Sequence, residues 1–166
     1  MIKVIFFTEN GRNLAERIPD EKQLIDGRTG VTEQNLSEAF VKKIPLAFIG
    51  ATGIAVRLIA PYIKDKTTDP AVICMDEKGR FVIPLLSGHI GGANELAEKI
   101  ASELDATAVI TTATDVNHTF AADIFAKENG LGILNPSAIK TVSSKVLAGQ
   151  VLSVKSTTTH RLYQSD

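Results

Sequence analysis

Short apolar runs alternate with helix-period stretches along this chain, and that alternation constrains the fold more than any other feature. Ile2–Thr8 reads as a continuous apolar strand of the kind buried on both faces. Asn10-Gly11 breaks it, and Leu14, Ala15 and Ile18 line one side of a short helix ended by Pro19-Asp20. Gln23–Asp26 is a short strand, and Thr32 is placed to cap a helix carrying Leu36, Ala39 and Phe40. Leu46–Ile49 is the next strand. Gly50-Ala51-Thr52-Gly53 turns it into a helix running to Ala60, which Pro61 closes. Ala71–Asp76 and Arg80–Leu86 are strands joined by a hairpin-like turn, Glu77-Lys78-Gly79.

Gly92 opens a helix with Ala93, Leu96, Ala97, Ile100, Ala101 and Leu104 on one stripe. Thr107–Thr111 is a strand, and Thr112-Ala113-Thr114-Asp115 leads to a helix carrying Phe120, Ile124 and Phe125, ended by Gly130. A helix from Ser137 to Leu147 and a strand near Gln150–Val154 follow, and the polar tail Lys155–Asp166 is expected to fray. The expected fold is a three-layer α/β sandwich with a mostly parallel sheet, Rossmann-like but without a dinucleotide fingerprint. Its first strand-to-helix turn, Thr8-Glu9-Asn10-Gly11, lacks the Gly-x-Gly-x-x-Gly pattern.

Composition removes several classes of function. A hydrophobic fraction of 44% fills a core, and with 5% aromatics and no tryptophan that core is aliphatic. A net charge of −1 without a basic cluster argues against nucleic acid as a partner. No apolar run approaches the roughly 18 residues of a membrane span. Met1–Phe7 lacks a signal-peptide pattern, and the single cysteine, Cys74, fits a reducing compartment. The expectation is a cytoplasmic protein that uses neither nucleic acid nor membrane as a partner.

In parallel α/β sheets, ligands sit beyond the carboxyl ends of the strands. Three turns are expected at that edge: Gly50–Gly53, Ser87–Gly92 and Thr111–Asp115. If their strands are neighbours, all three converge on one crevice. In Ser87-Gly88-His89-Ile90-Gly91-Gly92, glycines bring bare amides to a helix start, which suits an anion; a tight turn that simply needs glycine is the alternative. His89 can serve as general acid or base, as a ligand contact, or as a structural residue bonded to a carbonyl. Gly50, Thr52 and Gly53 form a second turn, in which Thr52 can cap the helix, contact a ligand, or do both. Arg57 follows about one helical turn after Gly53, within reach of a carboxylate or simply facing solvent. Thr111, Thr112 and Thr114 offer hydroxyls and Asp115 a carboxylate, unless Thr114 or Asp115 merely caps the next helix. His118 reads as a surface residue, His160 lies in the tail, and Cys74 reads as core. Zinc, phosphate-loop and nucleophile-elbow signatures are absent from the sequence.

Several of these motifs together resemble the amino-terminal part of the cobalamin-biosynthesis protein G family. They are Phe6-Phe-Thr-Glu-Asn-Gly11, Gly50-Ala-Thr-Gly-Ile-Ala-Val-Arg57, Ile59-Ala-Pro61, Lys66-Thr-Thr-Asp-Pro70, Leu85-Leu-Ser-Gly-His-Ile-Gly-Gly-Ala-Asn94 and Ile110-Thr-Thr-Ala-Thr-Asp115. The resemblance runs from about residue 2 to at least residue 150. It implies the anaerobic cobalamin pathway and a cobalt-precorrin-5A hydrolase, which opens a δ-lactone and releases acetaldehyde to give cobalt-precorrin-5B. On that expectation His89 or Asp115 activates a water and the Gly88–Gly92 amides hold the oxyanion. Gly50, Thr52, Gly53, Arg57, Ser87, Gly88, Gly91, Gly92, Asn94, Thr111, Thr112 and Thr114 contact the tetrapyrrole. The substrate carries the cobalt, so no protein-bound metal or other cofactor is expected. The expected domains are 1–130, the amino-terminal α/β domain, and 131–166, the start of a middle region. On the resemblance, the family's carboxy-terminal domain is expected to lie outside this stretch, so the expected associations are with that domain or with a second copy. A tetrapyrrole-holding module without catalysis is the alternative function.

Overall fold

The computed structural model describes residues 1–157, so His160 and the tail expectation beyond residue 157 lie outside the described residues. The chain divides into two compact units, one of Met1–Val109 and one that begins at Ile110.

The first unit carries six strands: β1 (Ile2–Phe6), β2 (Lys22–Asp26), β3 (Leu46–Ile49), β4 (Val72–Met75), β5 (Phe81–Leu86) and β6 (Thr107–Ala108). They form one sheet in the order β2-β1-β3-β4-β5-β6. β1 to β4 run parallel, with Lys3 opposite Leu46 and Leu46 opposite Val72. β5 returns antiparallel to β4, so Met75 faces Val82 and Val72 faces Leu86. β6 runs parallel to β5 and therefore opposite to the other four strands.

Four helices cover this sheet: α1 (Glu9–Arg17), α2 (Glu33–Lys42), α3 (Thr52–Ile59) and α4 (Ala93–Leu104). Strand side chains alternate between faces. Ile5, Ile25, Leu46, Phe48, Val72 and Cys74 meet Leu36 and Ala39 of α2 and Ala55 and Ile59 of α3 in one aliphatic core. The alternate positions, Val4, Ala47, Ile49, Ile73 and Met75, are equally buried and face the layer of α1 and α4. The unit is thus the expected three-layer α/β sandwich with a mostly parallel sheet.

Capping fixes two helix starts. The Thr32 hydroxyl accepts the Asn35 N–H at 3.2 Å, and the Asn35 side chain accepts the Thr32 N–H at 3.2 Å. The Thr8 hydroxyl accepts the Gly11 N–H at 3.0 Å, so α1 begins at Glu9 and takes in Asn10 and Gly11, which had been expected to break the chain. A Cβ at Gly11 would lie 3.2 Å from Ile49, so glycine there lets α1 approach the sheet closely.

One residue departs from the apolar reading of β1. Lys3 is 1% exposed, and its ammonium reaches the Glu38 carboxylate at 2.6 Å and the Asn35 carbonyl at 3.1 Å. Lys3 and Lys42 hold the Glu38 carboxyl down at about 2, chiefly through their hydrogen bonds.

The second unit contains α5 (Ala113–Val116), α6 (Ala122–Glu128) and α7 (Ser137–Leu147), and α5 and α6 both pack on α7. Phe120 lies outside α6 and meets Phe125 ring to ring at 5.6 Å, so the expected single helix is two separate pieces. The expected strand near Gln150–Val154 is irregular backbone without a ladder partner. The expected strand Thr107–Thr111 shortens to two residues because only Phe81 and Val82 of β5 pair with it. Among the described residues, no helix is long and apolar enough to cross a membrane.

Candidate functional site

The reversal at β5 decides where the motifs lie. Pro84, which donates no ladder bond, sits where the register slips: Ile73 pairs with Pro84 but Val72 with Leu86, leaving Leu85 as an extra residue. β5 then delivers Ser87 beside the start of β4, not its end. The Gly50–Gly53 turn sits at the opposite edge, where the Gly50 N–H meets the Met75 carbonyl at 2.9 Å. A four-residue strand, about 13 Å at roughly 3.3 Å per residue, separates the two turns. The expected convergence of Gly50–Gly53 with Ser87–Gly92 is therefore corrected: an antiparallel strand presents its carboxyl end at the other edge.

The Ser87–Asn94 turn is closed by its own backbone. The Ala93 N–H meets the Ser87 carbonyl at 3.1 Å, the Asn94 N–H meets the Gly88 carbonyl at 3.0 Å, and the Gly92 N–H meets the His89 carbonyl at 3.0 Å. Gly92 takes φ 81° as the residue before α4. A Cβ at Gly91 would lie 2.2 Å from the Ser87 Cβ, and one at Gly88 would lie 2.8 Å from the Asn94 side chain. These glycines are demanded by the turn itself. The Gly92 amide, expected among the oxyanion donors, is already engaged by His89. His89 is half-buried, Asn94 is buried, and Ile90 and Gly91 are exposed.

Ser87 is buried with φ 57°, a left-handed conformation that is costly for any residue with a side chain. Its hydroxyl donates to the Asp69 carbonyl at 2.9 Å. Asp69 is buried too, and its carboxylate accepts the Lys64 N–H at 2.9 and 3.2 Å. The Asp65 carbonyl accepts the Thr68 and Asp69 N–H groups at 3.0 and 2.8 Å. The Thr67 hydroxyl and amide hold the Asp65 carboxyl below its ordinary range. The sequence reading had assigned no chemistry to this loop. Its one signal in the sequence was the family resemblance of Lys66-Thr-Thr-Asp-Pro70, which carried no role for Asp69.

At the other edge, Thr52 does not cap α3. It is that helix's first residue, and its hydroxyl donates to the Cys74 sulfur at 3.7 Å. Cys74 is buried as expected, and burial pushes its thiol up. Thr52, Gly53 and Arg57 are exposed, and the Arg57 guanidinium folds back to the Gly53 carbonyl at 3.3 Å.

Thr111, Thr112, Thr114 and Asp115 belong to the second unit. Neither Thr114 nor Asp115 caps a helix: both lie inside α5, and Thr112 precedes it. Thr114 is buried, its carbonyl accepting the Thr119 N–H at 2.9 Å, while Thr111 is exposed. His118 is exposed, as expected. Among the described residues, no three His, Cys, Asp or Glu side chains gather as a metal-holding group.

Residues 34–115, which hold the Gly50, Asp69, Ser87 and Thr111 segments, match the family described as Cobalamin synthesis G N-terminal. The chain is 49% identical over 114 residues to a Cobalt-precorrin-5A hydrolase of Salmonella typhimurium, covering 68% of this chain and 32% of that protein. It is 41% identical over 139 residues to a Cobalt-precorrin-5A hydrolase of Priestia megaterium, covering 84% and 37%. The chain belongs to the Cobalamin synthesis G N-terminal family. It spans about a third of the length of those two relatives. A crystal structure described as a cobalamin biosynthesis protein G homolog from Sulfolobus solfataricus shares the fold. Its TM-score is 0.55 at 24% identity, covering 95% of this chain and 51% of that one.

Proposed function

We propose that this chain is the amino-terminal portion of a cobalt-precorrin-5A hydrolase, acting on the δ-lactone of a cobalt-bearing tetrapyrrole in the cytoplasm. The observation that carries the reading is 49% identity to a relative of that name, over a stretch long enough to take in most of the first unit. Residues 131–166 are the start of a middle region, and the partner is the remaining portion of such an enzyme. The cobalt enters with the substrate.

In this reading His89 takes a proton from the water that attacks the lactone carbonyl, and the ring oxygen leaves as a hydroxyl once protonated. The carbon–carbon bond that holds the two-carbon fragment to the macrocycle then breaks: the new hydroxyl gives up its proton and becomes the carbonyl of acetaldehyde, and the bonding electron pair stays with the macrocycle, which takes up a proton. His89 suits the step because its carbonyl is fixed by the Gly92 N–H and an imidazole can both take up and return a proton. Arg57, exposed at the other edge, is available to a peripheral carboxylate of a large substrate.

The test mixes the 166-residue chain with cobalt-precorrin-5A and follows both binding and acetaldehyde. The expected result is release of acetaldehyde, with His89→Ala cutting turnover far more than binding. Absence of both binding and release would overturn the reading, and an unchanged rate in His89→Ala would remove that residue from the chemistry.

A further inference from the structure

Ser87 stands in a turn whose neighbours at 88, 91 and 92 are all glycine, yet Ser87 itself adopts a left-handed φ of 57°. Glycine at 87 would relieve that conformation. Serine offers one thing glycine does not, a hydroxyl, and here it is buried and donates to the Asp69 carbonyl at 2.9 Å. The same side chain is gripped from behind, because Gly91 leaves no more room than its Cα needs against the Ser87 Cβ. Asp69 is fixed in turn through its carboxylate, which accepts the Lys64 N–H. A chain of bonds thus runs from the 64–69 loop through Ser87 into the closed turn that carries His89.

Resting on the hydrolase reading above, we propose that Ser87 and Asp69 are positioning residues that hold His89 against the reacting lactone. This reassigns Ser87, expected at first to touch the tetrapyrrole. Its hydroxyl donates away from the turn, into the neighbouring loop. A misplacement of about 1 Å in a reacting group costs on the order of a hundredfold in rate, so a loosened turn reduces turnover without emptying the site.

The experiment compares Ser87→Gly and Ser87→Ala with the unaltered chain in two measurements. Acetaldehyde release from cobalt-precorrin-5A gives kcat and KM, and NMR follows the His89 imidazole, assigned by its loss in His89→Gln. Ser87→Gly is the safer variant for folding because it removes the strained side chain. The expected result is kcat lower by about tenfold or more, KM within about twofold, and displaced His89 resonances in both variants. Asp69→Asn, which keeps an acceptor for Lys64, retains most of the rate, and Asp69→Ala does not. Unchanged kcat in both Ser87 variants overturns the proposal. A lowered kcat with unmoved His89 resonances also overturns it, since the hydroxyl then acts on the substrate directly. If the unaltered chain neither binds cobalt-precorrin-5A nor releases acetaldehyde, the hydrolase reading fails on its own and the His89 resonances alone decide the positioning.

Discussion

Gly91→Ala is the most demanding single-atom test of the turn. The added Cβ would lie 2.2 Å from the Ser87 Cβ and 2.9 Å from the Ser87 carbonyl oxygen. Neither atom is the free end of a flexible side chain, so the turn itself must open by more than 1 Å to reach ordinary contact. Opening it strains or breaks two bonds, Ala93 N–H to the Ser87 carbonyl and the Ser87 hydroxyl to Asp69. At about 1 kcal/mol for each of the two bonds, with about 1–3 kcal/mol of overpacking, the substitution costs about 3–5 kcal/mol. For a chain of this length that lowers the melting midpoint by about 6–20 °C. Gly53→Ala is the matched control. Its Cβ meets only the Arg57 guanidinium, at 3.5 Å, within the first turn of α3, so the same substitution stabilises by about 0.5–1 kcal/mol. Circular dichroism melts of both variants read the opposite signs. Adding Ser87→Gly to Gly91→Ala removes the closest clash and recovers part of the loss, a non-additivity that only direct contact produces. A Gly91→Ala midpoint within about 2 °C of the parent would refute the placement of these two residues.

Two further predictions concern the Lys3–Glu38 pair and Cys74. Glu38 titrates at about 2 in the folded chain against 4.5 for the free side chain, so its contribution is complete above pH 4.5 and fades as pH falls toward 2. Denaturation across that range is expected to show the loss in the parent and a flatter profile in Lys3→Met, where Lys42 alone faces Glu38; parallel profiles would contradict it. The Cys74 thiol, buried and pushed up, is expected to react with a thiol reagent at pH 8 only on unfolding, and prompt native labelling would show the β4 interior to be open.

Where local chemistry decides structure, the sequence was readable. Leu46–Ile49 and Ser137–Leu147 form with the bounds their pattern implies, and Thr32 caps α2 as its position suggests. Where tertiary context decides, it was not. Asn10-Gly11 looks like a breaker until Thr8 caps the helix through the Gly11 amide. Gln150–Val154 has strand composition, but a strand needs a partner to pair with. The site shows the same division. The Ser87–Asn94 turn and Cys74 were legible as a turn and a core residue, whereas Asp69 acts through its carbonyl and its fixed loop, which no residue type announces. The hairpin at Glu77-Lys78-Gly79 was itself legible. Its effect on the site is tertiary: a strand that reverses carries its following turn to the far edge of the sheet.

That reversal also bears on how the sheet assembles. Met75 pairs with Val82 a few residues along the chain, whereas Lys3 pairs with Leu46 some forty residues away. Closing the shorter loop costs about 1.6 kcal/mol less chain entropy. Among the described residues, β4–β5 is the one antiparallel pair, and each parallel pairing must wait for a crossover to close. The hairpin that separates the two edges is thus the least costly seed of the sheet, and the parallel strands accrete onto it from one side.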